Sequence, residues 1–315
     1  MSAEAPYATL SPDRVLDAIA AAGLHPDGRL LALNSYENRV YQIGLEDGAF
    51  VVAKFYRPAR WSDAAITEEH TFARELADAE LPVIAPLAFD DLTLLEHQGF
   101  RYAIYPRRGG RAPELESHEH LEWVGRLIAR MHSGGARASF QHRGAIDRET
   151  FMVAPSRAVL ASPLLPQRLR ENYRRATARV QAAVAARFDV VGAVAHIRLH
   201  GDCHPGNLLW TDTGPHFVDL DDARMGPAVQ DLWMLAGEDA SLDALLEGYA
   251  QFRDFNPRER ALIPALRAMR QVHWAGWIAQ RWHDPAFPAA FGYVAEPRWW
   301  EQHIEDLNEA ADDLR

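Results

Sequence analysis

The sequence predicts an α+β fold of two lobes: a small antiparallel sheet carrying one inserted helix, then a larger, mainly helical part. Three observations carry this expectation. Strand-like apolar runs fill residues 30–55 and return before residue 105. The run Pro106-Arg107-Arg108-Gly109-Gly110 then breaks the pattern and reads as a linker. Beyond it the apolar spacing is mostly helical. The expected boundaries are 1–105 for the N-lobe and 106–315 for the C-lobe.

The first element is a helix with Ser11 as N-cap and Pro12 in its first turn. Val15, Leu16 and Ile19 share a face, and Gly23 ends it. Leu30–Leu33, Arg39–Ile43 and Phe50–Phe55 read as strands, with a turn at Asp47-Gly48. A helix from about Ala64 to Ala79 buries Ile66, Phe72 and Leu76. Strands at Leu92–Leu95 and Phe100–Tyr105 follow, joined by His97-Gln98-Gly99. Leu121, Val124, Leu127, Ile128 and Met131 then mark an amphipathic helix, and Arg168–Arg187 a long charged one. A short hairpin region is expected from Ile197–Leu199, Leu208–Trp210 and His216–Asp219, before helices resume near Ala228.

The bulk numbers exclude several classes. With 48% hydrophobic and 24% charged residues, the chain has the composition of a soluble globular protein. Its 33 Lys and Arg against 44 Asp and Glu give a net charge of −11, which disfavours nucleic acid and anionic membranes as partners. The densest basic group, Arg107, Arg108 and Arg111, is short. A single cysteine, Cys203, rules out an internal disulfide. No apolar run approaches the roughly 20 residues of a membrane span. The acidic start Met1-Ser2-Ala3-Glu4 does not read as a signal peptide, so the cytoplasm is expected.

The chemistry concentrates in His200-Gly201-Asp202-Cys203-His204-Pro205-Gly206-Asn207. Asp202 and Asn207 have the spacing of a kinase catalytic loop, H-x-D-x-x-x-x-N. Phosphoryl transfer needs a carboxylate to position the acceptor, Mg²⁺ on the phosphates, and a cation on their oxygens. Asp202 suits the first role. The amide oxygen of Asn207 and the carboxylate of Asp219, at the end of an apolar strand, are hard ligands that suit Mg²⁺. Lys54, in Val51-Val52-Ala53-Lys54, resembles the strand lysine that holds the α- and β-phosphates of ATP. Glu69 is expected to aim that lysine. It shares the face of Phe72 and Leu76, whereas Glu68 is rotated off it. The turn Asn34-Ser35-Tyr36-Glu37-Asn38-Arg39 lies where a glycine-rich loop would cover the phosphates. It holds no glycine, and Ser35 is its best donor.

Other residues carry competing readings. Asp231 reads as an N-cap or as the fastener of the catalytic loop. Asp221 and Asp222 read as solvated charges or as help for the metal. His200, Asp202 and His204 form a string open to a hydrolase metal site, without a second cluster to complete it. Cys203 reads as an inert small residue or a redox-sensitive thiol. Trp274, Trp277, Trp282, Trp299 and Trp300 read as core packing or as a cage for a quaternary amine.

The strings Leu33–Gln42, Lys54–Pro58, Leu199–Asn207, Phe217–Arg224 and Gly226–Trp233 resemble the bacterial stress response kinase A family. That family lies in the aminoglycoside phosphotransferase and choline kinase branch of the protein-kinase-like fold. The resemblance spans nearly the whole chain. It implies a monomeric, cytoplasmic serine/threonine protein kinase that acts in stress responses and limits stress-induced cell death. It makes Asp202 the proton acceptor and Asn207 and Asp219 the Mg²⁺ ligands, and it puts Ser35 on ATP. Gly201 stands where common protein kinases carry arginine, so control by activation-loop phosphorylation through that arginine is not expected. Two further hypotheses share the motifs: a small-molecule kinase acting on an amino alcohol, sugar or antibiotic, and a non-catalytic nucleotide-binding module. The presence of Lys54, Asp202, Asn207 and Asp219 together argues against the second.

Overall fold

The computed structural model describes residues 5–115 and 117–315. Helix α1 (Pro12–Ala21) starts where Ser11 Oγ accepts the Arg14 N–H at 3.3 Å. Strands β1 (Pro26–Leu33), β2 (Arg39–Leu45) and β3 (Phe50–Phe55) follow. Asp47 Oδ1 accepts the Ala49 N–H, and Gly48 takes the positive φ that the turn between β2 and β3 demands. Ser62 caps α2 (Asp63–Asp78), and β4 (Leu95–His97) and β5 (Phe100–Pro106) complete the sheet. The sheet is antiparallel, in the order β1-β2-β3-β5-β4. Lys54 therefore lies between Val40 and Ala103 on a central strand. Val15, Ala18 and Ile19 of α1 pack with Ile43, Phe55 and Ile104 in one core.

The second part is mainly helical. Its helices are α3 (His118–Gly135), α4 (Ala154–Ala161), α5 (Arg170–Val191), α6 (Val229–Trp233), α7 (Asp239–Ala250), α8 (Ile263–Arg281), α9 (Ala286–Phe291) and α10 (Pro297–Asp313). Between α5 and α6 lie β6 (Ile197–Leu199), β7 (Leu208–Thr211), β8 (Gly214–Phe217) and β9 (Arg224–Gly226). The larger core joins Val124, Ile128, Tyr173, Leu232, Val272 and Trp300, and Phe72 and Leu76 of α2 reach into it. The two parts thus share apolar packing through α2. Among the described residues, no helix is long and apolar enough to cross a membrane.

Two expectations are corrected. The strand at Leu92–Leu95 forms instead at Leu95–His97. Asp90 and Asp91 both take positive φ, and Leu92 closes a tight turn onto Phe89, so pairing starts later. The single hairpin region is two separate pairs. β7 pairs with β8, while β6 pairs with β9. The chain leaves β6 at Gly201, whose φ is 84°, and the excursion over 200–223 carries the site.

Candidate active site

The excursion is fastened by one buried carboxylate. Asp231 accepts the His200 N–H at 2.8 Å and the Gly201 N–H at 2.9 Å. His132 lies 3.1 Å from the same carboxylate and is held by Tyr249 on its other nitrogen. Asp231 sits inside α6, and the residue preceding the helix is Ala228, which has no capping side chain. The loop-fastening reading of Asp231 is therefore the correct one. Gly201 combines positive φ with a closed wall: an added Cβ would overlap the Asp222 carbonyl oxygen. No arginine fits there, which explains the departure from the common kinase motif.

Asp202 follows at once. Its Oδ1 accepts from Arg270 Nη1 of α8 at 2.7 Å, and its Oδ2 lies 3.5 Å from His204 Nε2. Burial alone would raise its carboxyl, but the His204 hydrogen bond and the Arg270 charge outweigh it and hold the group below its ordinary value. Asn207 donates from Nδ2 to the Asp202 carbonyl at 2.9 Å, and its own carbonyl accepts the Val218 N–H at 3.0 Å. The Asn207 amide nitrogen is thus engaged within the loop, which leaves its side-chain oxygen as an acceptor. His200 Nε2 meets the Val218 carbonyl at 2.9 Å, tying the loop to the segment that ends at Asp219.

Asp219 lies two residues beyond β8, with φ 61°, rather than on the strand itself. Its side chain is half exposed, and Lys54 Nζ reaches its Oδ1 at 2.8 Å. Lys54 is also 3.7 Å from Asp221 Oδ1, with the rings of Tyr56 and Tyr105 beside it. Burial opposes its charge, but these two carboxylates prevail, so its pKa stands well above the ordinary value. Lys54 therefore meets Asp219, and the loop that carries Asp202 and Asn207 is bonded to the segment that ends there.

Glu69 lies buried on the expected face of α2, but among the described residues no ion pair joins it to Lys54. Lys54 pairs with Asp219 and Asp221 instead. Burial raises the Glu69 carboxyl to about 7, against the pull of Lys54 and Arg143. Glu68 points elsewhere and accepts the backbone N–H groups of Gln141 and His142 at 2.6 and 2.9 Å. Ser35 Oγ donates to the Asn38 carbonyl at 3.2 Å, closing the turn between β1 and β2.

Asp221 and Asp222 were singled out in the sequence with solvation as one reading, whereas their arginine partners and Arg270 escaped it. Asp221 is buried, not solvated: it pairs with Arg60 and accepts from Asn38 Nδ2 at 3.0 Å. Asp222 pairs with Arg60 at 2.7 Å and Arg224 at 3.0 Å; burial would raise its carboxyl, but those arginines hold it well below the carboxylate range. Three carboxylates within four residues of an apolar stretch were the available signal. Arg270 gave none, because its contact with Asp202 spans 68 residues.

The competing readings also resolve. His200 Nε2 bonds the Val218 carbonyl, and among the described residues His200, Asp202 and His204 do not gather as metal ligands. Cys203 is fully buried, and burial pushes its thiol well up, as suits an inert residue. Trp274, Trp277 and Trp299 pack against Phe287, Phe291 and one another, and Trp300 is buried: they are packing residues of the larger core.

The fold and the residues gathered around Asp219 fit a kinase-like phosphotransferase. Residues 29–263 match the phosphotransferase enzyme family, and the chain belongs to that family. The stress response kinase A of Escherichia coli (strain K12) is 44% identical over 310 residues, covering 97% of this chain and 94% of that protein. The serine/threonine protein kinase RdoA of Salmonella typhimurium (strain LT2) is 44% identical over 303 residues, covering 94% and 91%. Among solved structures, an amicoumacin kinase in complex with AMP-PNP, Ca²⁺ and Ami superposes with a TM-score of 0.72 at 16% identity, covering 96% of this chain and 93% of that one. This likeness bears on the fold.

Proposed function

We propose that the chain is an ATP- and Mg²⁺-dependent serine/threonine protein kinase of the stress-response type. The observation that carries this reading is the contact of Lys54 with Asp219 beside the loop that carries Asp202 and Asn207. A protein acceptor is supported by the name of the Salmonella relative. In this reading residues 1–105 form the ATP-holding lobe and 106–315 the catalytic lobe. The enzyme is a cytoplasmic monomer, with no nucleic-acid or membrane partner.

Each residue has a role set by its chemistry. Asp202 accepts the hydrogen bond of the acceptor hydroxyl and then its proton. The Arg270 and His204 contacts keep it ionised for that task. Lys54 has three N–H donors; one faces Asp219, and the others serve the α- and β-phosphate oxygens. Ser35 and its turn cover the phosphates. Glu69 contributes charge near Lys54 without touching it, and Asp221 shares the task of aiming that lysine. The Asn207 side-chain oxygen and the free oxygen of Asp219 fit a hard divalent cation, since both are oxygen donors and Asp219 is half exposed. The chemistry that Mg²⁺ supplies when bound there is neutralisation of charge on the phosphate oxygens.

A small-molecule acceptor is the second reading, favoured by the fold likeness to an amicoumacin kinase and an aminopropanol kinase. Incubation with γ-labelled ATP separates the two. We expect label on Ser and Thr of proteins, with the signal lost in excess chelator. Label confined to small hydroxyl compounds would refute the protein-kinase reading.

A further inference from the structure

The turn over 34–38 contains no glycine, yet its backbone is held closely. Arg57 Nε donates to the Glu37 carbonyl at 3.0 Å, and its Nη2 to the Tyr36 carbonyl at 3.2 Å. Arg39 Nη1 donates to the carbonyls of Tyr36 and Asn38 at 3.2 and 3.3 Å. Two guanidinium groups thus satisfy three consecutive carbonyls.

Both guanidinium groups converge on one carboxylate of the helical part. Asp284, between α8 and α9, is 1% exposed. Arg39 Nη2 reaches its two oxygens at 2.9 and 3.1 Å, Arg57 Nη2 reaches Oδ2 at 2.6 Å, and the Ala286 N–H holds Oδ1 at 3.1 Å. The tip of the turn is held beside it. Glu37 pairs with Arg281 at 2.6 Å and accepts from Trp277 Nε1 at 2.5 Å, and Tyr36 meets Phe291 edge-on at 5.0 Å.

We infer that Asp284 is a positioning residue for the nucleotide: through Arg39 and Arg57 it fixes the backbone of the phosphate-covering turn. This rests on the reading of residues 34–38 as that cover. In a trans peptide the N–H points opposite to the C=O. With the Tyr36 and Glu37 carbonyls turned to the arginines, the N–H groups of Glu37 and Asn38 face away from them, as donors for phosphate oxygens. A glycine-rich loop reaches such a shape through backbone freedom; here charge enforces it. The same pairs tie the sheet to the helical part at the turn, so the cover and the catalytic loop keep one spacing.

The test compares the wild-type full chain with Asp284→Asn. The variant keeps the size of the side chain and removes its charge. We expect its KM for ATP to rise about tenfold or more, since the turn loses the charged partner that fixes its phosphate-facing N–H groups. The acceptor KM and the kcat at saturating ATP stay near wild type. Amide hydrogen exchange of residues 36–39 speeds up, while that of 199–208 does not. Should Asp284→Asn fail to fold, Arg39→Gln, at the more exposed edge, gives a smaller shift in the same direction. An unchanged KM for ATP, or a joint loss of kcat and both KM values that tracks melting temperature, overturns the inference. Exchange of wild type with and without ATP separates the two levels of the argument. Failure of ATP to protect residues 34–39 refutes the cover itself, and the inference with it. Protection together with an unchanged KM in Asp284→Asn refutes only the role of Asp284.

Discussion

The loop at 200–207 and the turn at 34–38 each depend on one buried aspartate. Asp231 holds the loop directly, by two backbone N–H groups of the same lobe. Asp284 holds the turn at one remove, through the long side chains of Arg39 and Arg57 from the other part of the molecule. The difference matches the work. An acceptor-positioning carboxylate must be placed with little play, and short backbone bonds to a single side chain give that. A cover over phosphates must span two bodies, and guanidinium forks give that reach with fixed geometry.

The sharpest way to break the loop side is Asp231→Ala. It leaves the His200 and Gly201 N–H groups and His132 buried without their partner. The expected cost is about 3–5 kcal/mol of stability, read from the urea midpoint. The ATP-covering turn should keep its exchange protection in the fraction that remains folded. A loss below about 1 kcal/mol would contradict the account of this anchor.

Arg270→Ala tests the other side chain on the loop. It removes the donor to Asp202 Oδ1 without touching the fold core, since Arg270 is 39% exposed. Roughly a tenfold fall in kcat is expected, with little change in stability or in KM for ATP. A rise in KM for ATP alone would assign Arg270 to the cover rather than the loop.

Glu69→Gln gives the smallest effect and a signed one. In the fold the Glu69 carboxyl is raised from 4.5 to about 7, so the folded chain binds the extra proton between these values. Wild-type stability therefore falls as pH rises from about 4.5 towards about 7, because ionising a buried carboxyl is opposed. Glu69→Gln should lose that slope and gain stability relative to wild type over the same window. Parallel stability curves for the two proteins would show that Glu69 is not perturbed as described.

These contrasts explain what the sequence could reveal. The loop was legible because its parts are close along the chain: Asp202 and Asn207 are five residues apart, and Asp219 follows after an apolar strand. Lys54 was legible from the apolar strand around it, and the helical spacing that set Glu69 apart from Glu68 does put Glu69 on the buried face of α2. The pairing of Lys54 was not legible. Asp221 reaches it only because Asn38, Arg60 and Lys54, from distant elements, neutralise and satisfy a carboxylate that looks like a solvated turn residue. Arg270 and Asp284 were invisible for the same reason, since one lies in an amphipathic helix and the other in a turn, and neither has a local motif. The split of the expected hairpin region into β6–β9 and β7–β8 followed from Gly201, whose positive φ shows in a sequence only as a glycine among many.

Asp202 is proposed to serve phosphoryl transfer together with Lys54, Asn207 and Asp219. The most direct measurement is the rate of transfer from γ-labelled ATP by Asp202→Ala beside wild type, with ATP affinity measured on both. The account predicts a fall of about 10²–10⁴-fold in rate with ATP affinity retained. Transfer by Asp202→Ala at the wild-type rate would contradict it.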